Sequence, residues 1–498
     1  MTRLFPTMLL CSLALSACVR TIEIGCDAGA ATEQQVGDGS SPFDGLPDTQ
    51  DLATTMDALG MPPTTVWARS FGERSNDTVR GIAVDQRDDT VFVTGDFEGG
   101  ADFGGGRISS NGRDVFIASY TSAGEHRWAK GFGAANTLFR DSGAAVAVGP
   151  TGDIFVTGQV GEGPVDFGGG ALEAGTEDVF VARFSGLGEH RWSRRWTDTY
   201  GGFGNYGTTI ALDNANTICV GGGYSGSINF GDGELEFIGD FNPFVLLLDP
   251  AGNTRWSRGA TRNSGDFSSG GQATISADGQ VYLAGDFTNR VSFGGEMLEG
   301  KGSFDSYLAQ FDPVGDHSWL GGIQSDSADS LHALIADASG NITVLITFEG
   351  TMTLDGQVLF AENTSALLVS FSPNGDVRWA TPFRGAGNVY AGALAHDTAG
   401  NLYMGGAFTN TLDFGDGPHA APGTNAFIVS LTPTAALRWS TSFGSSNDVG
   451  HTTWIRALAV GAYGAVYAGG SFRTTMELDT TTLQSNGATD GFIVAFVP

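Results

Sequence analysis

The sequence predicts an all-β fold, a closed seven-bladed β-propeller with four antiparallel strands in each blade. Three observations predict it. The 498 residues include 76 glycines and are 41% hydrophobic but only 16% charged, which indicates short apolar strands separated by turns. A unit marked by tryptophan recurs seven times at intervals of 60 to 64 residues. The last unit lacks one strand, and the N-terminal part of the chain offers one.

Each unit contains four predicted strands. The first alternates in polarity, as in GIAVD from Gly81, and the second is more apolar, as in VFVTGDF from Val91. Short turns such as DQRDD between them predict antiparallel hairpins. A third strand, such as FIASY from Phe116, leads into a fourth that carries the tryptophan. The seven tryptophans are Trp67, Trp128, Trp192, Trp256, Trp319, Trp379 and Trp439.

Two short motifs recur within the units. Asp-Phe-Gly or a variant follows the second strand at 102–104, 166–168, 229–231, 292–294 and 413–415. A kinase interpretation fails, because the other kinase motifs are missing around these tripeptides. We therefore predict a structural role for these tripeptides, with the phenylalanine between sheets. A glycine four residues before tryptophan recurs as well, and we interpret this G-x-x-x-W spacing as packing between blades.

The segment TTVWARSFG at 64–72 is explained by the last unit. The sequence ends in DGFIVAFVP, a third strand after which a tryptophan strand is due. We predict that 64–72 pairs with this C-terminal strand, completes the last blade and closes the ring. The alternative is an open solenoid of seven repeats, which would leave a strand edge exposed at each end.

The first 63 residues divide into two predicted segments. Arg3, the apolar run at 8–17 and the sequence LSAC at 15–18 resemble the signal and lipobox of bacterial lipoproteins. This resemblance implies a signal peptide at 1–17, a lipid on Cys18 and an exported protein anchored to the cell envelope. Val19 instead of aspartate implies delivery to the outer membrane. An ordinary signal peptide is the alternative. Residues 18–63 are acidic, poor in bulky apolar side chains and predicted to be a flexible tether, followed by the propeller at 64–498.

The repeats also resemble known families. Units such as WARSFG, GIAVDQRDDTVFVTGDF and DVFIASYTSAGEHRW are similar to the SBBP-type β-propeller repeats of bacterial surface and secreted proteins. The resemblance covers roughly 64–498, implies the fold and brings no catalytic residues with it. A fainter resemblance, through G-x-x-x-W, is to the tryptophan-docking repeats of quinone-dependent alcohol dehydrogenases, whose adjacent-cysteine pair is missing here.

Loops before the first strands are predicted to form the ligand face. They are long and contain aromatic residues among glycine, asparagine and serine, a composition typical of surfaces that stack on sugars or bind proteins. The alternative is that the aromatic rings only seal the loops onto the blades. The candidate ligand-face residues are Tyr200, Phe203, Tyr206, Phe267, Tyr390 and Trp454.

The same loops supply candidates for a metal site and a catalytic base. Loop aspartates around a channel mouth could hold Ca²⁺, but we favour turns that cap the strand starts and predict no cofactor. These aspartates are Asp77, Asp141, Asp198, Asp266, Asp329 and Asp448. His332 and His451 lie near first strands, where either could act as a base beside an aspartate. A lone histidine is more often structural, and we assign His126, His190 and His317 to packing.

These patterns favour a binding or scaffold module for protein or glycan ligands, expected to be a monomer. An extracellular polysaccharide- or ester-processing enzyme, a lyase or hydrolase, is the alternative. The 25 basic and 55 acidic residues give a net charge of −30, which opposes binding to nucleic acids.

Overall fold

The computed structural model describes residues 63–134, 140–173, 175, 177–198, 204–238, 241–261, 270–446, 448–479 and 481–497. All of them belong to one structural unit, Thr49–Pro498. All helices and strands assigned in these residues are β-strands, as the all-β prediction from the sequence expects. The predicted signal peptide, Cys18 and the predicted tether up to residue 62 lie outside the described residues.

The strands form four-stranded antiparallel sheets that follow one another along the chain. Sheet 1 contains β2 (Thr78–Val84), β3 (Val91–Asp102), β4 (Arg107–Tyr120) and β5 (His126–Phe132). Sheet 2 contains β6 (Ser142–Val148), β7 (Ile154–Val160), β8 (Asp178–Phe184) and β9 (His190–Trp196). Sheet 3 contains β10 (Tyr206–Leu212), β11 (Ile218–Tyr224), β14 (Asn242–Leu248) and β15 (Thr254–Gly259). Sheet 4 contains β16 (Gln272–Ile275), β17 (Val281–Phe287), β20 (Asp305–Phe311) and β21 (His317–Ile323).

The later sheets repeat this order. Sheet 5 contains β22 (Asp329–Ala336), β23 (Ile342–Leu354), β24 (Gln357–Phe371) and β25 (Val377–Phe383). Sheet 6 contains β26 (Val389–His396), β27 (Leu402–Asp413), β28 (Pro418–Leu431) and β29 (Leu437–Phe443). Sheet 7 contains β30 (Thr452–Val460), β31 (Val466–Arg473), β34 (Asp490–Val497) and β1 (Thr64–Phe71). Three small hairpins form separate two-stranded sheets: β12 (Ile228–Asn229) with β13 (Glu234–Leu235), β18 (Arg290–Ser292) with β19 (Met297–Glu299), and β32 (Thr475–Glu477) with β33 (Thr482–Gln484).

Sheet 7 is assembled from both ends of the described chain. β1 pairs antiparallel with β34, from Thr64 opposite Val497 to Phe71 opposite Gly491, with a bulge next to Trp67. The predicted pairing of the N-terminal strand with the C-terminal unit is therefore confirmed. Sheets 6 and 7 are also joined by a single parallel pair, Thr424 with Thr452.

The second and third strands of each sheet form its buried centre. Every residue of β14 and β17 is buried. These near-continuous apolar runs differ from the alternation of a sheet with one wet face, because neighbouring sheets cover both faces of the middle strands. The fourth strands, such as β5 and β21, are largely half-buried.

The first strands of consecutive sheets lie against one another. β2 contacts β6, and the series continues through β10, β16, β22, β26 and β30, which in turn contacts β2. The first strands of neighbouring sheets lie so close together that small residues are required. A Cβ added to Gly81 of β2 would lie 2.9 Å from the Ala145 Cα of β6. Between β10 and β16, the Thr209 hydroxyl accepts a hydrogen bond from the Ala273 N–H at 2.8 Å.

Five of the recurring tryptophans dock onto the glycine turn of the next sheet: Trp67, Trp128, Trp192, Trp256 and Trp319. The Trp128 indole N–H donates to the Gly186 carbonyl at 3.1 Å, and a Cβ on Gly188 would lie 3.0 Å from the indole ring. Trp67 of sheet 7 docks in the same way on Gly124 of sheet 1 and donates to the Ser122 carbonyl at 2.8 Å. The predicted role of G-x-x-x-W in packing between sheets is confirmed by these contacts.

The Asp-Phe-Gly segments have the predicted structural role and form turns. The Asp102 carboxylate accepts the Gly104 and Gly106 N–H groups at 2.8 and 3.0 Å. Phe103, which follows Asp102, is buried against Phe71 and Phe116, with ring centroids 4.8 and 4.6 Å away. An aspartate suits such a turn because its short side chain accepts the backbone N–H two residues further along, in place of a backbone carbonyl.

Candidate functional site

The strand-start edge is the end of the sheets at which the first strands begin. Three buried aspartates, Asp77, Asp141 and Asp329, lie at or just before these starts. Each donates its backbone N–H to a carbonyl beside the third strand of the preceding sheet, so each marks a junction between sheets. The bonds join Asp77 to Thr489 (2.9 Å), Asp141 to Arg113 (3.0 Å) and Asp329 to Phe304 (2.9 Å).

The carboxylates of these junction aspartates accept backbone N–H groups. Asp77 accepts from Glu98 at 3.1 Å and Asp141 from Ala134 at 2.7 Å. These bonds reach residues 21 and 7 positions away in sequence, so they join separate segments at the strand starts and are not the local turns favoured from the sequence. Burial nevertheless raises the pKa of Asp77 to about 7, and the nearby charge of Asp490 acts in the same direction.

The other aspartates of the predicted set have different positions. Asp198 accepts a hydrogen bond from the Asn205 amide at 3.2 Å, and Asp448 accepts the Gly450 N–H at 2.8 Å. Asp266 lies outside the described residues. Among the residues that are described, no group of three or more histidine, cysteine, aspartate or glutamate side chains is arranged to hold a metal ion. Ca²⁺ binding stays the less favoured alternative of the sequence analysis.

A β-bulge recurs in the first strands. In six of them the pairing with the second strand shifts by one residue at the same point. A bulge inserts an extra residue and re-aims its side chain. The bulged residues are Arg80, Ala144, Thr208, His332, Gly392 and Arg456. Sequence reasoning missed these bulges, because the inserted residues share no chemical character.

An aromatic–arginine patch, made of Tyr390, Trp454, Arg456 and Arg80, lies on three neighbouring first strands. The Tyr390 and Trp454 rings are 4.9 Å apart at 39°. The Arg456 guanidinium carbon is 5.9 Å from the Trp454 ring centroid, within the range of a cation–π contact. Arg456 is exposed, yet the surrounding protein partly dehydrates its guanidinium and lowers its pKa, and the charge of Arg80 adds to this.

Arg80 is anchored by a buried acid. It pairs with Asp96 of β3, whose other carboxylate oxygen lies 3.5 Å from the Arg113 Nε. The Ser142 hydroxyl from sheet 2 donates to Asp96 at 3.2 Å. Asp96 compensates the charge of Arg80. The exposed guanidinium of Arg456 is therefore the cationic group that the patch presents to a ligand.

The remaining candidate aromatic residues are not in this patch. Tyr206 is half-buried, its ring lies 6.3 Å from that of Phe241, and its hydroxyl accepts the Gly270 N–H at 3.3 Å. These contacts hold it between sheets 3 and 4, so packing is part of its role. Tyr200, Phe203 and Phe267 lie outside the described residues.

The histidines considered as bases are engaged in other contacts. His332 lies 2.9 Å from the Thr347 hydroxyl, and burial lowers its pKa to about 4, so it is neutral at pH 7. His451 is buried, and its Nε2 bonds to the Asn425 side chain. His126, assigned to packing from the sequence, stacks edge-on with Tyr120 at 6.0 Å and fits against Gly105.

A second feature, the acidic pocket, lies between sheets 4 and 5. It is a cavity of about 380 Å³. Its lining consists of Asp286, Phe304, Ala328, Asp329, Ser330, Thr347, Phe348, Glu349 and Thr364. The sequence analysis included Asp329 but missed Asp286. The available signal was the aspartate inside VYLAGDF, a charged residue in a strand that is otherwise apolar and is buried throughout.

The two pocket aspartates are held by short hydrogen bonds. The Asp286 carboxylate accepts the Leu331 N–H at 2.8 Å and the Ser306 hydroxyl at 2.9 Å. Burial raises its pKa to about 6. Asp329 accepts the Ser325 N–H at 2.6 Å through Oδ2, whereas its buried Oδ1 has no hydrogen-bond partner in the described part of the chain. Burial and the charge of Asp305 raise the pKa of Asp329 to about 7.

No helix in the described ranges is long and apolar enough to cross a membrane. No protein-family model matches the chain, and no curated protein matches it.

Three solved structures are similar to this chain. The Pan2 WD40 domain of Neurospora crassa shares 10% identity over 88% of this chain and 98% of that one, with a TM-score of 0.42. A puromycin hydrolase mutant complexed with PGG shares 12% identity over 91% of this chain and 57% of that one, with a TM-score of 0.42. Sqt1 of Saccharomyces cerevisiae shares 10% identity over 85% of this chain and 88% of that one, with a TM-score of 0.38. At these scores the fold assignment depends on the strand pairing of the chain itself.

Proposed function

We propose that the chain is a lipid-anchored β-propeller of the cell envelope that binds protein or glycan ligands at the strand-start edge. The aromatic–arginine patch is the observation that carries this proposal. Two aromatic rings 4.9 Å apart beside an exposed guanidinium combine an apolar stacking face with hydrogen-bond donors. Sugars and protein side chains both bind to surfaces of this kind.

The ring of seven sheets belongs to this proposal. Several contacts between sheets 7 and 1 support closure: β30 lies against β2, Trp67 docks on Gly124, and the Asp77 N–H bonds to the Thr489 carbonyl. Phe71 and Ile493 of sheet 7 share a hydrophobic cluster with Phe116 of sheet 1. A closed ring brings Tyr390, Trp454 and Arg80, which are distant in sequence, to one mouth.

The patch is tested by alanine substitution. We expect Trp454→Ala and Tyr390→Ala to reduce binding on a glycan array, or to a purified envelope-protein ligand, at least about tenfold. Tyr463→Ala is the matched control, because Tyr463 is 53% exposed in the hairpin turn at the opposite end of β30. Thermal melts establish that each variant is folded. Equal binding by all four proteins would contradict the proposal.

The lipid anchor has a separate test. Cys18 is the cysteine of the LSAC motif, and Cys26 lies eight residues further on. We expect metabolic labelling with a fatty-acid analogue to mark the wild-type protein and the Cys26→Ala variant but not Cys18→Ala. Release of Cys18→Ala from the membrane fraction follows if the lipid is the anchor. Labelling of the Cys18→Ala variant would contradict lipid attachment at Cys18.

A further inference from the structure

Sheets 1 and 4 carry an aspartate at the same position of their second strands. Asp96 in VTGDF pairs with Val115, and Asp286 in LAGDF pairs with Ser306. Both therefore lie at the strand-start edge, next to the following sheet. The two junctions have the same backbone geometry, because a parallel bridge joins Arg113 to Arg140 in one and Phe304 to Ala328 in the other.

The two junctions differ in charge. At the junction of sheets 1 and 2, Arg113 places a guanidinium 3.5 Å from Asp96, and Arg140 lies on the other side of the bridge. At the junction of sheets 4 and 5, Phe304 and Ala328 take these two positions. Both line the acidic pocket, so the cavity lies where the first junction has basic side chains.

The acidic pocket has the chemistry of a cation site. The described residues that line it include three acids, Asp286, Asp329 and Glu349, and no base. Asp329 is only 2% exposed, and its Oδ1 has no hydrogen-bond partner among the described residues, a costly arrangement that a donor from a ligand would relieve. Phe304 is 39% exposed at the rim.

We propose that this pocket binds an arginine side chain of a peptide ligand, with Asp329 and Asp286 accepting hydrogen bonds from the guanidinium and Phe304 providing apolar contact at the rim. A planar guanidinium fits two carboxylates and a ring better than an ammonium does, because it donates in a fixed fork and stacks. The volume of about 380 Å³ lies in the usual range of small-ligand sites. The net charge of −30 attracts cationic ligands.

The ionisation of the pocket sets a pH dependence. Asp329 is faced by Asp286 of β17, Asp305 of β20 and Glu349 of β23, while the neighbouring His332 of β22 is neutral near pH 7. The raised pKa values of Asp286 and Asp329 mean that both become fully charged only above pH 7. A cationic ligand should therefore bind more tightly at pH 8 than at pH 6.

The test is calorimetry of the full chain with three small probes. We expect Nα-acetyl-arginine amide to bind, Nα-acetyl-lysine amide to bind more weakly, and the uncharged Nα-acetyl-norleucine amide to bind at least about tenfold more weakly than the arginine probe. Asp329→Asn should weaken the arginine probe about tenfold. Phe304→Arg, which restores the basic residue of the first junction, should fill the pocket and abolish binding in a folded protein.

Other variants separate this proposal from the proposed function. Trp454→Ala should leave binding of the arginine probe unchanged, because Trp454 belongs to the aromatic–arginine patch. Phe304→Leu keeps an apolar rim and should retain most of the binding. Equal binding of the arginine and norleucine probes, or full binding by Phe304→Arg, would overturn the proposal, whatever the outcome for glycan or protein capture at the patch.

Discussion

At the scale of single residues, stability depends on a few contacts that recur in several sheets. A glycine with positive φ receives the indole of the preceding sheet, and an aspartate organises the turn after the second strand. Both devices need a particular residue type. Only glycine combines the left-handed backbone with the missing Cβ, and only a short acceptor bonds the backbone two residues ahead.

The docking glycines can be tested against a matched control. Gly188 (φ +79°) and Gly464 (φ +81°) share one backbone conformation, but a Cβ would lie 3.0 Å from the Trp128 ring in the first and meet nothing within 4 Å in the second. We expect Gly464→Ala to lower the free energy of unfolding by about 1–2 kcal/mol through backbone strain. Gly188→Ala should cost about 1–3 kcal/mol more, through overpacking. Denaturant unfolding measures both, and equal losses would contradict docking as the cause.

The junction aspartates predict a pH dependence of stability. Burial raises the pKa of Asp77 to about 7, and Asp490, Asp96 and Glu98 add to this. Between about pH 4 and 7 the folded chain keeps a proton that the unfolded chain has released, so this contribution to stability falls as pH rises. We expect Asp77→Asn to gain stability relative to the wild type from pH 5 to pH 8. Chemical unfolding at a series of pH values measures the difference.

Asp102→Asn is the control for this pH series. Backbone N–H groups of Gly104 and Gly106 lower the pKa of Asp102, so its carboxylate is charged in both the folded and unfolded chain above pH 5. The stability difference between Asp102→Asn and the wild type should stay constant from pH 5 to pH 8. A constant difference for Asp77→Asn as well would contradict the assignment of the raised pKa.

At the scale of strands, position in the sheet decides composition. The first strands contain small residues, because they approach the first strands of both neighbouring sheets. Middle strands are apolar throughout, because sheets cover both of their faces. Short apolar runs and turn residues were sufficient to predict these strands. The extensions were not predictable in this way: β23 runs on to Leu354 and β27 to Asp413, through polar residues that pair only because the hairpin continues.

Strand β1 has a predicted role that a deletion can test. Removal of Thr64–Phe71 from the full chain exposes the edge of β34 and takes away the docking of Trp67 on Gly124. We expect a lower melting temperature and association of the protein, because an open strand edge pairs with other chains. Deletion of residues 40–47, within the predicted tether, is the control and should leave melting unchanged. An unaltered melt for the β1 deletion would contradict the importance of this strand.

At the scale of the whole molecule, the proposed closure of the ring predicts that the chain ends can be moved to another turn. Thr64 and Val497 are directly paired, so a short turn can connect them. We expect a circular permutant with this connection, opened in the 432–436 turn between β28 and β29, to fold and to melt within a few degrees of the wild type. Aggregation or loss of the cooperative transition in this permutant would contradict closure. Thermal melting and size-exclusion chromatography provide the measurements.

The sequence by itself determined the all-β class, the order of strands, the pairing of 64–71 with the last strand and the packing of tryptophan on glycine. These features are local or periodic, and the same residues repeat in nearly every unit. Only the tertiary structure decided which side chains share the strand-start edge. The patch joins Tyr390, Trp454 and Arg80, and the acidic pocket joins Asp286 to Asp329. A repeat pattern does not predict such groupings. Each depends on residues of neighbouring sheets that differ from the consensus, and on bulges that re-aim single side chains.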